Sequence, residues 1–407
     1  MEVTRIVCAP DSFKGSVTAA EAAAAMARGA REICTAAEIL ELPFADGGEG
    51  TLDALLAVWG RPAAQVETVD ALGRPTTARY GLSPDGRTAV VEAAEANGLP
   101  QVSDVPLQPL RADTYGVGRL LAHVLDAGVE EILLCIGGSA TTDGGTGILS
   151  ALGAELLDDD GAPVAPGGQG LADIVRIDLD GLHPRARQVR WRIAVDVDNP
   201  LTGERGAAAV FGPQKGADAE DIAVLDAGLR QLAAVLAEHT ETEQNSDAEA
   251  AQQPSPAQTS PEPTSPAQTG PAQLETVPGF GAAGGIPLPL VTLFGAEVVP
   301  GSAMVAEAVR LQEALEEADL VLTGEGRLDS QSLGGKVVDA VASRAPQRAA
   351  VVVIAGALQL SPAECRDAGL TAAFSIADGP AELAQLQSEA ERLIQQTTAH
   401  ACALLGR

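Results

Sequence analysis

The chain has 407 residues, of which 46% are hydrophobic and 20% charged, and its formal net charge is −30. This length favours two domains, because single hydrophobic cores stop growing at roughly 250–300 residues. The acidity argues against binding to nucleic acid or to an anionic membrane surface. The N-terminal segment lacks the basic and apolar regions of a signal peptide, and no apolar run approaches the ~20 residues that span a bilayer. We therefore expect a soluble, cytoplasmic protein.

Strands, glycine-rich loops and helices alternate along the chain. The first part predicts strands at 3–9 and 39–44, helices at 22–33 and 51–58, and a hairpin at 79–94. The remainder predicts helices at 118–125, 304–317, 337–343 and 381–405, and strands at 131–136, 192–197, 320–323, 350–355 and 372–376. This order is typical of parallel α/β sheets, which bind ligands at the carboxyl ends of their strands.

One segment differs from the rest in composition. Residues 240–276 contain six prolines, many Gln, Ser, Thr and Ala residues, and no aromatic or basic residue. Such a composition buries too little apolar surface to offset the entropy lost on ordering. We expect a disordered insertion.

Four predicted loops combine glycines with carboxylates. Glycines allow backbone N–H groups to approach an anion closely, and carboxylates beside a phosphate indicate a divalent metal ion. A deprotonated Asp can also accept the proton of an attacking hydroxyl. The four loops are ADGGEGT at 45–51, GGSATTDGGTG at 137–147, DVDNPL at 196–201 and TGEGRLDSQ at 323–331.

Only three lysines occur, and each lies beside a glycine: Lys14, Lys215 and Lys336. A chain of net charge −30 must concentrate positive potential locally to bind an anion, and these lysines with Arg327 are the natural suppliers. The common nucleotide motifs do not fit. No Walker A sequence is present, and the G-x-G-x-x-G at 279–284 does not follow a predicted strand, which disfavours a dehydrogenase.

Seven motifs together resemble those of the bacterial glycerate kinases of type I, which phosphorylate D-glycerate with ATP. They stand in family order and cover nearly the whole chain apart from 240–276. One departure is Thr142, where many relatives have Asn. The motifs are APDSFKGS, PFADGGEGT, GGSATTDGG, DVDNPLTG, FGPQKGA, GAAGG and TGEGRLDSQSLGGK.

The resemblance implies an α/β protein of two α/β domains with the active site in the cleft between them. A Rossmann-like domain would comprise residues 1–70 and 291–407, and a middle α/β domain would comprise residues 71–290, including the insertion at 240–276. It also implies ATP and Mg²⁺ as cofactors, D-glycerate as substrate and 2-phosphoglycerate as product. A role in glyoxylate or sugar-acid metabolism follows, and a homodimer is left open.

Site roles are assigned on the matching motifs. We expect Lys14 in catalysis, with Asp46 or Asp196 as the base, and Lys14 or Arg327 as the partner of the glycerate carboxylate. The complete expected set is Asp46, Asp196 and Lys14 for catalysis; Ser12, Arg327 and Asp329 for glycerate; Gly137, Gly138, Ser139, Thr141, Asp143, Lys215, Gly284 and Gly285 for ATP; and Asp196, Asp198 and Glu325 for the metal.

Two alternatives stay open. The phosphoryl group could go to O3 instead of O2 of glycerate, giving 3-phosphoglycerate. A non-catalytic sensor on the same fold would bind glycerate or ATP without turnover, although the intact acidic loops count against it.

Overall fold

The computed structural model describes residues 3–251 and 270–405. Its strands are β1 Arg5–Cys8, β2 Glu38–Glu41, β3 Ala64–Val69, β4 Pro75–Leu82, β5 Thr88–Glu92, β6 Glu131–Cys135, β7 Glu155–Leu157, β8 Arg176–Asp178, β9 Arg190–Ala194, β10 Glu297–Val299, β11 Leu320–Leu328, β12 Ala350–Leu358 and β13 Ala372–Ser375.

Its helices are α1 Ala19–Ile33, α2 Thr51–Trp59, α3 Ala94–Asn97, α4 Leu99–Val102, α5 Tyr115–Asp126, α6 Thr146–Ala151, α7 Ala207–Phe211, α8 Ala219–Ala251, α9 Pro271–Leu274, α10 Pro287–Phe294, α11 Gly301–Ala308, α12 Leu311–Leu315, α13 Val337–Arg344, α14 Pro362–Asp367, α15 Leu383–Ser388 and α16 Ala390–Leu405. Short 3₁₀ turns occur at Gly168–Asp173, Pro213–Lys215, Ala282–Gly284 and Ser330–Leu333.

The chain divides into two compact units. Unit 1 comprises Met1–Ala63, Gly81–Asp85 and Val299–Arg407, and unit 2 comprises Ala64–Tyr80 and Gly86–Val298. The structure divides the chain at 63/64 and 298/299, where the expected boundaries were 70/71 and 290/291. The predicted fold class, two α/β domains with parallel strands, is confirmed.

Unit 1 contains a five-stranded parallel sheet in the order β13-β12-β11-β1-β2. Strand β1 pairs with the central strand β11 through Ile6 and Leu320 and with the edge strand β2 through Ile6 and Ile39. Strands buried on both faces of a parallel sheet read as continuous apolar runs, and Ile6, Val7 and Cys8 of β1 form such a run after the partly exposed Arg5. The carboxyl ends of β11, β1 and β2 therefore lie side by side.

Helix α1 covers this sheet together with α16. Thr18 caps α1, and it exchanges hydrogen bonds with Glu21 in a capping box. The alanine-rich face of α1 is buried, and Gly29 brings the two helices into close approach: a Cβ there would lie 2.2 Å from the carbonyl oxygen of Gln395. Small residues on α1 thus allow the terminal helix to close the core of unit 1.

Unit 2 contains a six-stranded mixed sheet in the order β10-β9-β6-β5-β4-β3. Strands β5, β6 and β9 are parallel neighbours, whereas β3 and β4 are antiparallel. The predicted hairpin corresponds to β4 and β5, which are adjacent in the sheet. The segments that follow β5, β6 and β9 consequently emerge from the same edge, and they carry Asn97, the 137–147 loop and Asp196.

Several predicted elements of unit 1 were wrong in extent, among them the strand at 350–355, which continues to Leu358, and the helix at 381–405, which divides into α15 and α16. The strand expected at 320–323 continues to Leu328, because its parallel pairing with β12 extends through Arg327 and Ala357. Glu325 and Arg327 thus lie on a strand and not in a loop. The single helix expected at 304–317 is interrupted, because Arg310 adopts a left-handed φ of 53° between α11 and α12.

The disordered insertion expected at 240–276 was also wrong in part. Helix α8 continues to Ala251, and residues 252–269 lie outside the described part of the chain. Residues 270–276 are anchored at two positions: Leu274 is 5% exposed within an apolar cluster, and Glu275 accepts hydrogen bonds from Thr202 and Arg230. One buried leucine and one hydrogen-bonded carboxylate therefore hold this part of the segment in place, and its overall composition does not reveal them.

Among the helices of the described residues, none has both the length and the apolar character needed to cross a membrane.

We predict that Leu274→Ala lowers the free energy of unfolding by about 2–5 kcal/mol, because it removes a buried side chain and leaves a cavity. Leu383→Ala is the matched control, since Leu383 is 71% exposed and its truncation should change stability by less than about 0.5 kcal/mol. Denaturant unfolding of both variants measures the difference. Equal stabilities would mean that the 270–276 segment contributes nothing to the core.

Candidate active site

Three carboxylates gather at the carboxyl ends of three adjacent strands of unit 1. Asp11 follows β1, Asp46 follows β2, and Glu325 lies on β11. The backbone N–H of Asp11 donates to the carbonyl of Gly324 at 2.8 Å, which ties the residue to β11. Gly301 fixes the Asp46 loop, since a Cβ there would lie 2.0 Å from the Asp46 carbonyl oxygen. The parallel sheet thus brings these negative charges together.

The pKa of Asp11 is raised to about 7, first by burial and then by the negative charges of Asp46 and Glu325. A hydrogen bond of 2.6 Å from the backbone N–H of Ser12 to Oδ1 opposes the rise. Burial also raises the pKa of Glu325, whose Oε1 is buried without a hydrogen-bond partner among the described residues. Perturbed carboxylates of this kind are candidates for proton transfer.

Cationic side chains flank this cluster. Lys14 is exposed at the tip of a turn closed by the Phe13–Val17 bridge, and buried Phe13 anchors the turn in the core. Arg327 is exposed on β11, on the same strand face as Glu325. Lys336, which precedes α13, lowers the pKa of Glu325 by its charge. Accessible cations beside half-buried carboxylates can hold an anionic substrate next to a proton acceptor.

Asp329 has a local partner. Its Oδ1 accepts from the backbone N–H of Gln331 at 2.9 Å, and its own N–H donates to the hydroxyl of Ser332 at 3.0 Å. This capping box holds the 3₁₀ turn Ser330–Leu333. Asp329 therefore shapes the segment that follows Arg327.

The glycine-rich loop at 137–147 is the main feature of the candidate site in unit 2. On one side, the N–H of Leu99 donates to the carbonyl of Gly138, and the N–H of Ala140 donates to the carbonyl of Asn97. The side-chain amide of Asn97 donates to the hydroxyl of Thr141 at 3.1 Å. The segment after β5 thus holds the first half of the loop in place.

Lys215 holds the other side of the same loop. Its Nζ donates to the hydroxyl of Ser139 at 3.1 Å and to the carbonyl of Thr141 at 2.5 Å, and the residue is 3% exposed. Burial lowers its pKa to about 8, against the opposing effect of the charge of Asp143. An ammonium group has three N–H donors, so the lysine can bind the loop and still offer a donor to an anion.

Asp143 occupies the N-terminus of α6 from within the loop. Its Oδ2 accepts from the N–H and hydroxyl of Thr114 and from the N–H of Gly147, and its Oδ1 accepts from the N–H of Gly145. Burial raises its pKa, but both oxygens only accept hydrogen bonds, which is the geometry of an ionised carboxylate. The carboxylate fills the anion site that a helix N-terminus offers, so Asp143 shapes the loop.

Gly284 and Gly285 pack beneath the loop. The N–H of Gly144 donates to the carbonyl of Gly284 at 2.9 Å, and a Cβ on Gly284 would lie 2.2 Å from the carbonyl of Thr141. Both glycines have positive φ values, 74° and 98°. Only glycine fits this close approach.

The expected metal ligands do not form one group. Asp196 and Asp198 are exposed after β9 in unit 2, and Asp198 pairs with Arg205 at 2.9 Å; Glu325 belongs to unit 1. Within the described residues, no cluster of three or more His, Cys, Asp or Glu side chains could hold a metal ion. Mg²⁺ commonly takes only one or two carboxylates together with substrate phosphates. Asp196 and Asp198 fit that mode, because a surface ion pair such as Asp198–Arg205 is weak and easily exchanged.

Several residues of these two sets were missed by the sequence analysis. Asp11 stands in the APDSFKGS motif immediately after β1, and this position was the available signal. Asn97 and Thr114 carry no motif of their own, because their roles arise from contacts with the distant 137–147 loop. Such contacts cannot be inferred from spacing along the chain.

Comparisons with known proteins agree with the motifs. Residues 6–406 match the model of the glycerate kinase family. The chain is 40% identical over 395 residues to the glycerate kinase of Bacillus subtilis, covering 97% of this chain and 95% of the relative. It is 38% identical over 373 residues to the glycerate 2-kinase of Escherichia coli K12, covering 91% and 90%.

A solved crystal structure of a protein provisionally described as glycerate kinase 2, from Salmonella typhimurium LT2, has a TM-score of 0.84 to this chain. The two are 40% identical, and the alignment covers 99% of this chain and 98% of the other. The resemblance to glycerate kinases is confirmed.

We predict that Asp143→Ala lowers the free energy of unfolding by about 3–5 kcal/mol, because four buried donors lose their acceptor and Lys215 loses its neighbouring anion. Asp159→Ala is the control, since Asp159 is exposed in a turn and its removal should have little effect. Denaturant unfolding measures both. Equal stability of the two variants would contradict a structural role for Asp143.

Proposed function

Because the chain belongs to the glycerate kinase family and is a phosphotransferase, we propose that it transfers the γ-phosphoryl group of ATP to the C2 hydroxyl of D-glycerate, giving 2-phosphoglycerate. The observation that carries the O2 assignment is the extensive identity with the Escherichia coli protein named glycerate 2-kinase. Phosphoryl transfer depends on positioning and on neutralising charge. The residues of each unit support one part of this task.

We assign glycerate to the unit 1 residues. Lys14 and Arg327 are exposed and basic, so either can bind the glycerate carboxylate, Arg327 as a bidentate partner. Ser12 lies between Asp11 and Phe13 and can donate its hydroxyl to the substrate. Asp329 contributes indirectly, because it caps the 3₁₀ turn that follows Arg327 and so shapes the substrate site.

Asp11 is the favoured base for the C2 hydroxyl. Asp46 and Asp196 were the expected alternatives. Asp196 is exposed to solvent, whereas Asp46 and Asp11 each accept one backbone N–H at Oδ1, from Gly48 and from Ser12. Asp11 is half-buried, and its pKa is raised to about 7, which is near the value that suits proton transfer at neutral pH. Asp46 and Glu325 then serve to keep that pKa high.

We assign the ATP phosphates to the unit 2 loop. Gly137, Gly138 and Ser139 form its first turn, and the ammonium of Lys215 lies at the Ser139 hydroxyl. This buried cation offsets the repulsion between the polyphosphate and a chain of net charge −30. Thr141, Asp143, Gly284 and Gly285 contribute by fixing the loop.

Mg²⁺, when bound with ATP, neutralises phosphate charge and orients the transferring group. Asp196 and Asp198 would hold it, with phosphate oxygens completing the donor set. Glu325 is reassigned from the expected metal ligands to the set around Asp11, because its charge acts on the pKa of Asp11.

The shifted pKa values of Asp11 and Lys215 predict a bell-shaped pH profile of kcat/KM. Activity should rise as Asp11 loses its proton near pH 7, since only the carboxylate accepts a proton, and fall as Lys215 loses its proton near pH 8, since only the ammonium attracts phosphate. Asp11→Asn should lower kcat by about 10²–10⁴. Steady-state rates from pH 5 to 10 measure the profile.

Asp46→Asn is the discriminating control for this profile. It removes a negative charge that raises the pKa of Asp11, so the acidic limb should move to lower pH while activity persists. If Asp46→Asn abolishes turnover and Asp11→Asn keeps the wild-type profile, Asp46 is the base instead.

The reaction itself is tested by phosphorus NMR of the protein incubated with ATP, Mg²⁺ and D-glycerate. We expect 2-phosphoglycerate with D-glycerate and no product with L-glycerate. Formation of 3-phosphoglycerate would overturn the assignment of O2. Binding of ATP without any product would instead support the sensor.

A further inference from the structure

A cavity of about 240 Å³ lies in unit 2 against the last residues of the 137–147 loop. Thr146 and Gly147 form one wall, and Asp113 and Tyr115, at the start of α5, form another. Pockets that enclose whole drug-sized ligands measure roughly 300–1,000 Å³. This cavity therefore suits one part of a ligand, such as a single heterocyclic ring.

The chemistry of the walls excludes a phosphate. The lining residues, all within the described part of the chain, include no Lys, Arg or His, and two of them are the carboxylates Asp113 and Glu155. The deeper wall is apolar, with Leu156, Leu171 and Ile174. A phosphate would find only negative charge there, whereas a flat uncharged ring with N–H donors would find apolar contact and acceptors.

The cavity and Lys215 contact different parts of the same loop. Thr146 and Gly147, at the end of the loop, line the cavity, whereas Lys215 Nζ donates to Ser139 and Thr141 in its first half. A ligand that follows the loop would meet an acidic, partly apolar end and a cationic end. A nucleotide has the matching polarity, a neutral base at one end and an anionic phosphate chain at the other.

Tyr115 borders the opening of the cavity. It lines the cavity yet is 42% exposed, whereas the large aliphatic residues of the same helix are buried. Aromatic side chains stack on nucleobases without regard to sequence. Next to it, Asp113 uses Oδ1 to accept the N–H of Tyr115 at 2.9 Å, and its second oxygen can accept from a ligand.

We propose that this cavity binds the adenine ring of ATP, with Tyr115 against the ring face and Asp113 accepting a hydrogen bond from the exocyclic amino group. This assignment rests on the proposed function, in which the 137–147 loop and Lys215 bind the phosphates. It orients the nucleotide along the loop, from Tyr115 at the base to Ser139 at the phosphates.

Calorimetric titration of the full-length protein with ATP and with tripolyphosphate tests the proposal, because tripolyphosphate lacks the base. Tyr115→Ala should weaken ATP binding about tenfold and leave tripolyphosphate binding unchanged. Tyr115→Phe, which keeps the ring, should restore ATP binding. If Tyr115→Ala weakens both ligands equally, or neither, the cavity is not the base site.

Asp113→Asn gives a second, independent readout. Inosine triphosphate carries a carbonyl oxygen where ATP carries the amino group, so wild-type protein should bind ATP about tenfold more tightly, and Asp113→Asn should abolish this preference because an amide can donate to the carbonyl. Asp159→Asn, exposed and outside the cavity, is the control and should keep the preference. An unchanged preference in Asp113→Asn would overturn the role of Asp113.

These binding measurements separate the proposal from the proposed function. Base-dependent ATP binding that follows Tyr115 and Asp113, in a protein that does not phosphorylate glycerate, supports the cavity assignment and contradicts the kinase reaction. If glycerate is phosphorylated and neither substitution changes ATP binding or turnover, the kinase reaction is supported and the cavity assignment is contradicted.

Discussion

The candidate phosphate site of unit 2 depends on one buried carboxylate. Asp143 accepts four hydrogen bonds from the loop that it belongs to and from Thr114, and in doing so it acts as an internal anion at the N-terminus of α6. A buried charge is tolerated only when it is fully hydrogen-bonded or paired, and the charge of nearby Lys215 meets the second condition. The polarity of the whole region follows: the positive end lies at Ser139, and the negative end lies at the cavity beside Asp113.

In unit 1, by contrast, three carboxylates lie close to one another. Its parallel strands place Asp11, Asp46 and Glu325 at one edge of the sheet, where burial and then the negative charges of Asp46 and Glu325 raise the pKa of Asp11. The repulsion destabilises this edge, and such local strain is a common property of functional sites. A carboxylate that is protonated near neutral pH can take up and release a proton under working conditions, which the fully hydrogen-bonded Asp143 is not arranged to do. Two carboxylates of the same chain thereby acquire different roles from their surroundings.

Local signals in the sequence predicted much of this fold. The helices predicted at 22–33 and 51–58 are present as α1 and α2, because the Thr18 capping box and the Gly60 cap that bound them depend on residues a few positions apart. Asp11 and Asn97 were missed because their environments are created by pairing between distant strands and loops. The left-handed Arg310 and the buried Leu274 show the same limit: a single residue that packs well can interrupt a helix or anchor a Pro-rich segment, and composition does not reveal it.

The division of charge between the two units is the central claim, and a crystal structure with a non-hydrolysable ATP analogue and D-glycerate tests it most directly. We expect the triphosphate against Ser139 and Lys215 of unit 2, and the glycerate carboxylate against Lys14 or Arg327 of unit 1. A triphosphate held instead by Lys14 and Lys336, with Lys215 still bonded only to its loop, would contradict this account.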